Sequence, residues 1–200
     1  MNVQEAVDAW QSQYSGQPPV GFMLRFSHES VWTRLQFDRE GAGPAADDDG
    51  RTASRFDTVA SALFTGATVL VLAIRLRAAR EDAKALRDIG AAVISPPESW
   101  LQALGGYLPD PGRAEFMGAT LGWQRGCLDR VWQAVARDWV GRIAVFCPAT
   151  GDAVCPSGGG ADVFVWGPER RAKLGERFGA WLPEARPPGS AAAGGGGKNR

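Results

Sequence analysis

The stretch TVLVLAIRL, residues 68–76, decides the fold. It is a nearly continuous run of apolar and β-branched residues, which suits a strand buried on both faces. Such a strand needs cover on each side, so helices are expected around it. The segment before it supplies one. Phe56, Val59, Ala60, Leu63 and Phe64 recur at helical spacing, Thr52 or Ser54 is available as a cap, and Gly66 ends the run.

Toward the N-terminus, residues 3–14 read as a short helix with Val3, Ala6, Val7 and Trp10 on one stripe, stopped by Gly16 and Pro18-Pro19. GFMLRFSH (21–28) alternates Phe22, Leu24 and Phe26 against Met23, Arg25 and Ser27. VWTRLQFD (31–38) alternates Val31, Thr33, Leu35 and Phe37 against Trp32, Arg34, Gln36 and Asp38. Both are expected to be strands, and the short link around Ser27–Ser30 makes an antiparallel hairpin the economical connection. REGAGPAADDDG (39–50) lacks apolar periodicity and reads as an acidic loop.

Toward the C-terminus, residues 79–89 read as a charged helix, AVIS (92–95) as a short strand, and Pro96-Pro97 as the opening of a helix over 98–105. Residues 106–125, with scattered glycines, prolines and aromatics, give no firm element. Leu128, Val131, Trp132, Val135 and Trp139 form a helical stripe closed by Gly141. RIAVFC, DAVC and ADVFVW follow as strands, and Pro168 opens a helix reaching about Trp181. The predicted architecture is α/β (or α+β): one domain over 1–186, with a mixed sheet of five to six strands and helices packed on it. Residues 187–200 have the composition of a disordered Gly/Ala-rich tail.

Composition narrows the function. The 44% apolar and 22% charged shares are those of a globular protein. With 22 basic and 22 acidic residues the net charge is zero, which argues against a dedicated nucleic-acid binder or a polybasic membrane anchor. The longest apolar run is far short of the roughly 20 residues that span a bilayer. The N-terminal residues carry acids and no early basic cluster, unlike a secretory signal. Three cysteines do not make a disulfide framework, so a cytoplasmic protein is expected.

Catalytic chemistry finds little material. His28 is the sole histidine, which excludes a metal site built from two or three of them and leaves little for a Ser-His or Cys-His pair. Cys147 and Cys155 flank a predicted hairpin turn without metal-ligand spacing, and Gly158–Gly160 precede a strand instead of the helix that a phosphate loop requires. No metal or cofactor is therefore expected. Asp38, Glu40, Asp152 and Asp162 are raw material for the alternative, a carboxylate-dependent hydrolase. One surface stands out. With Leu24, Leu35 and their neighbours facing the core, the opposite hairpin face carries Met23, Arg25, Trp32, Arg34 and Gln36, residue types enriched at protein interfaces. Asp47, Asp48 and Asp49 form an acidic patch suited to steering a basic partner.

The hairpin stretch GFMLRFSHESVWTRLQF, the unit SRFDTVASALFTGATVLVLAIRL and the C-terminal IAVFCPATGDAVCPSGGGADVFVWGPERRAKLGERFGAWL together resemble the DUF3885 family of uncharacterised bacterial proteins. That family is expected to show a strand pair, a segment near YDDRGxDV and a helix closing in an aromatic and WL. Here Gly160-Ala161-Asp162-Val163 ends the segment, and Phe178 and Trp181-Leu182 close the helix. CPSGGG replaces the family's aromatic and two acids. The family brings no activity to carry over. Small bacterial proteins of this character often serve as immunity proteins, so the resemblance implies a cytosolic protein that binds and neutralises a toxin.

Overall fold

The computed structural model describes residues 1–37, 48–76, 82–108, 113–137, 142–157 and 159–183. Among these, seven strands form one sheet: β1 (Trp32–Gln36), β2 (Thr68–Leu76), β3 (Ala92–Ile94), β4 (Ala114–Gly122), β5 (Arg142–Phe146), β6 (Ala153–Ser157) and β7 (Gly160–Phe164). Their order is β1-β7-β6-β5-β2-β4-β3, and every neighbouring pair is antiparallel. The described helices are α1 (Val3–Gln13), α2 (Gly21–Ser27), α3 (Asp48–Phe64), α4 (Asp82–Asp88), α5 (Glu98–Leu104), α6 (Asp129–Ala136) and α7 (Pro168–Arg177).

The expected central strand is β2. Its side chains alternate between two hydrophobic cores, Val69, Val71 and Ala73 on one face and Leu70, Leu72 and Ile74 on the other, each at most 2% exposed. The first face is covered by α3, α4, α6 and α7 through Phe56, Phe64, Leu86, Trp132 and Leu174. The second is covered by α1, α2 and α5 through Trp10, Tyr14, Leu24, Trp100 and Leu104. The α/β class holds. The sheet has seven strands, not five to six, and is antiparallel where a mixed one was expected.

Two elements depart from the sequence reading. GFMLRFS is the helix α2, not a strand, and β1 pairs with β7 in place of a hairpin partner. Val20, Met23 and Leu24 are the residues buried here, at i, i+3 and i+4. A short run with apolar residues at 20, 22, 23, 24 and 26 satisfies both periods, and packing on the sheet selects the helical one. Phe26, expected in the core, is 72% exposed, and Met23, expected outward, is buried. The other departure is β4, a nine-residue strand inside the stretch that gave no element. Gly118 interrupts its apolar pattern for a packing reason: a Cβ there lies 2.9 Å from Val3 Cγ1, so α1 crosses the sheet where β4 has no side chain.

Smaller corrections follow. α3 begins at Asp48, so Thr52 and Ser54 lie inside the helix and the last residues of the expected acidic loop are helical. Cys147 and Cys155, at the two sides of the expected hairpin turn, belong to opposite cores. The rest of that acidic loop, Trp139, Gly141 and the tail 187–200 lie outside the described residues.

Register is held most tightly at the β1–β7 edge. Gly160 pairs with Gln36, and a Cβ at Gly160 falls 2.0 Å from the Leu35 carbonyl oxygen, so no side chain fits without separating the strands. Gly160→Ala is expected to destabilise the protein by about 3 kcal/mol. Gly175, inside α7 with open space around it, is the matched contrast: Gly175→Ala is expected to add about 0.5–1 kcal/mol. Urea unfolding of the two variants checks both signs.

Candidate functional site

The richest concave surface lies where α2 meets the β6–β7 hairpin and the start of β5, a cleft of about 510 Å³. Asp162, Cys155 and Ser157 from the sheet, Phe22 and Arg25 from α2, Arg34 from β1 and Arg142 from β5 all line it. Asp162 organises it. This carboxylate is 4% exposed, accepts a hydrogen bond from Trp32 Nε1 at 2.9 Å and pairs with the Arg34 guanidinium at 3.6 Å. Arg34 also donates to the Ser157 hydroxyl. A buried carboxylate left unpaired is costly, so these donors are what permit Asp162 inside the sheet edge.

The helix is seated on the same residue. A Cβ at Gly21 lies 2.8 Å from Asp162 Oδ2 and 2.9 Å from Cys155 Cβ, so the first residue of α2 rests directly on β6 and β7. Only glycine permits that approach without displacing the carboxylate. Phe22 then packs edge-on against Tyr107 with ring centroids 5.2 Å apart, and Arg25 lies over the exposed Phe26 ring at 4.9 Å. Phe22 thus links the cleft to Tyr107, which is 54% exposed, and Phe26 follows one turn along α2.

The expected site residues separate into groups. Arg25 and Arg34 meet in the cleft. Trp32 is half-buried and supports Asp162. Gln36 is half-buried at the far end of β1, and Met23 belongs to the core beneath α2. The single hairpin face imagined for them does not exist, because α2 is helical and packs on the sheet. Asp47 lies outside the described residues, and Asp48 and Asp49 open α3, with only their backbone described. Arg142 and Ser157 were missed. The strand reading holds Arg142 in RIAVFC but leaves Ser157 between DAVC and ADVFVW, and only the tertiary pairing brings them beside Arg25.

The carboxylates of the hydrolase alternative are not brought together. Asp38 and Glu40 lie outside the described residues. Asp162 pairs with Cys155 in the sheet, three residues along β6 from Asp152, or about 10 Å at strand rise. Asp152 is fully buried at the β5–β6 turn, where the Trp166 N–H (2.9 Å), the Thr150 hydroxyl (2.9 Å) and Arg170 all reach it. Burial raises its carboxyl above the usual range, while those three partners pull the other way. It staples α7 to the sheet. Among the described residues no cluster of His, Cys, Asp and Glu has the makings of a metal site, and no helix is long and apolar enough to cross a membrane.

His28 follows α2, its ring edge-on to Tyr14 (5.2 Å) and near Trp166 (6.0 Å), and its Nε2 is buried without a hydrogen-bond partner. That setting favours the neutral ring. Comparison with protein-family models, with curated proteins and with solved structures returned no match.

Burial holds the His28 pKa below its ordinary 6.5, against a smaller opposing hydrogen bond with the Tyr14 backbone. Below about pH 6.5 the unfolded chain therefore binds the proton more readily than the fold. The His28 contribution to stability is complete above that pH and declines as pH falls toward the folded value. In denaturant titrations at pH 7 and pH 5, His28→Gln is expected to lose less stability on acidification than the parent chain. An equal loss would show that His28 stays accessible to protons in the fold.

Proposed function

We propose that this protein acts by binding another protein, in the manner of an immunity protein that neutralises a toxin, and that α2 with the cleft beneath it is the recognition surface. The observation that carries the reading is the composition of that surface. Phe26, a large aromatic at 72% exposure, stands on the same short helix as Arg25 and Phe22, which line a cleft with two further arginines, and Phe22 carries the exposed Tyr107 ring against it. Exposed aromatics with arginines are the side chains that dominate binding energy at interfaces. An isolated exposed Phe is ordinary; one on the same short helix as a Phe22–Tyr107 pair and an arginine-lined cleft is not. The immunity form of the reading comes from the DUF3885 resemblance, and the contact surface comes from the side chains themselves.

The two acids nearest to an active-site role, Asp152 and Asp162, are each committed to donors that hold the fold, which favours binding over hydrolysis. A benzophenone side chain installed at Phe26 is expected to crosslink one protein species in the native cell. The adduct should disappear when Arg25 and Arg142 are both reversed to Glu, with the fold retained by circular dichroism. The same label at Lys84 on α4, exposed on the opposite helix layer, is expected to give no such adduct. Equal labelling from Phe26 and Lys84, or an adduct indifferent to the reversals, contradicts the assignment.

A further inference from the structure

We propose that the cleft is a carboxylate site, and that it seats an Asp or Glu side chain of the protein partner between Arg25, Arg34 and Arg142. This rests on the binding reading above and names the chemistry that the surface selects. Among the described residues, three guanidinium groups from three separate elements line one cleft with a single carboxylate, Asp162. Asp162 is already engaged by Trp32 and Arg34. Among the described residues Arg25 and Arg142 have no ion-pair partner; Arg25 lies over the Phe26 ring. Arg142 is half-buried at the cleft wall, so its charge sits where screening by water is reduced. The molecule as a whole is neutral, so this local surplus of positive charge is a property of the site and not of the composition.

The walls of the cleft suit an acidic side chain. Phe22 and Pro156 add apolar wall beside the arginines, matching the methylene stem of an acidic residue and a neighbouring apolar side chain. A carboxylate offers two oxygens to planar guanidinium donors, the geometry of the strongest charge-assisted pairs. The aromatic rim of Phe22 and Tyr107 then receives the residue flanking the acid.

The test titrates the full chain with N-acetyl-Phe-Asp amide, N-acetyl-Phe-Asn amide and inorganic phosphate, read by ¹⁵N spectra of the backbone and of the arginine Nε–H groups. The Asp peptide is expected to shift Gly21, Ser157 and the Nε–H signals of Arg25 and Arg142 saturably. The Asn peptide should bind at least about tenfold more weakly, the loss typical of a charge-assisted hydrogen bond. Arg142→Ala should weaken the Asp peptide by about tenfold, and Arg142→Lys, which keeps the charge, by less. Equal response to the Asn peptide, tighter binding of phosphate, or indifference to Arg142→Ala overturns the carboxylate site. If that occurs while Phe26 still yields its crosslink, the binding surface stands and only its chemistry is wrong. Loss of the crosslink together with intact acid binding would instead sink the protein-binding reading alone.

Discussion

β2 is buried on both faces, and everything else in the molecule answers to that constraint. A strand whose successive side chains alternate between two dry cores obliges the chain to supply a helix layer on each side of the sheet. Helices α3, α4, α6 and α7 fill one side, and α1, α2 and α5 fill the other. Antiparallel sheets commonly leave one face wet, and this one does not. The tryptophans follow from the same demand. Trp10 and Trp100 close one core and Trp132 the other, each fully buried.

The second layer is where the fold leaves an opening. α1 comes close over Gly118, and α2 is anchored by Gly21 on Asp162 and Cys155. Between α2 and the sheet edge the cover is incomplete, and the cleft occupies that gap. Its polar floor is sustainable because Asp162 is satisfied by Trp32 and Arg34. The same network fixes Arg34 in place, so one guanidinium of the cleft is held before any ligand arrives, which lowers the ordering cost of binding.

Much of this was legible in the sequence and part of it was not, for identifiable reasons. The stripes of α3 and α6 and the apolar strands β2, β5 and β7 announce themselves because periodicity reports burial directly. α2 reads as a strand because a seven-residue segment with apolar groups at 22, 23, 24 and 26 fits either period, and its true partner surface is distant in sequence. β4 was illegible because Gly118 yields its side-chain space to Val3, a fact of packing with no local signature. Of the site, Arg25, Trp32 and Arg34 were legible as interface-type residues near one another in the chain. Arg142 and Ser157 were not, since only the order β1-β7-β6-β5 assembles them.

Hydrogen exchange in the Asp162→Asn variant tests most directly whether the cleft is built into the fold through this one carboxylate. Faster exchange is expected over β1 (32–36), whose Trp32 and Arg34 lose their anionic partner, and over α2 (21–27), which rests on the same side chain at Gly21. β2, β4 and β5 should keep the exchange of the parent chain. Unchanged protection in α2 and β1 would contradict the account, because the arginine cleft would then owe nothing to Asp162.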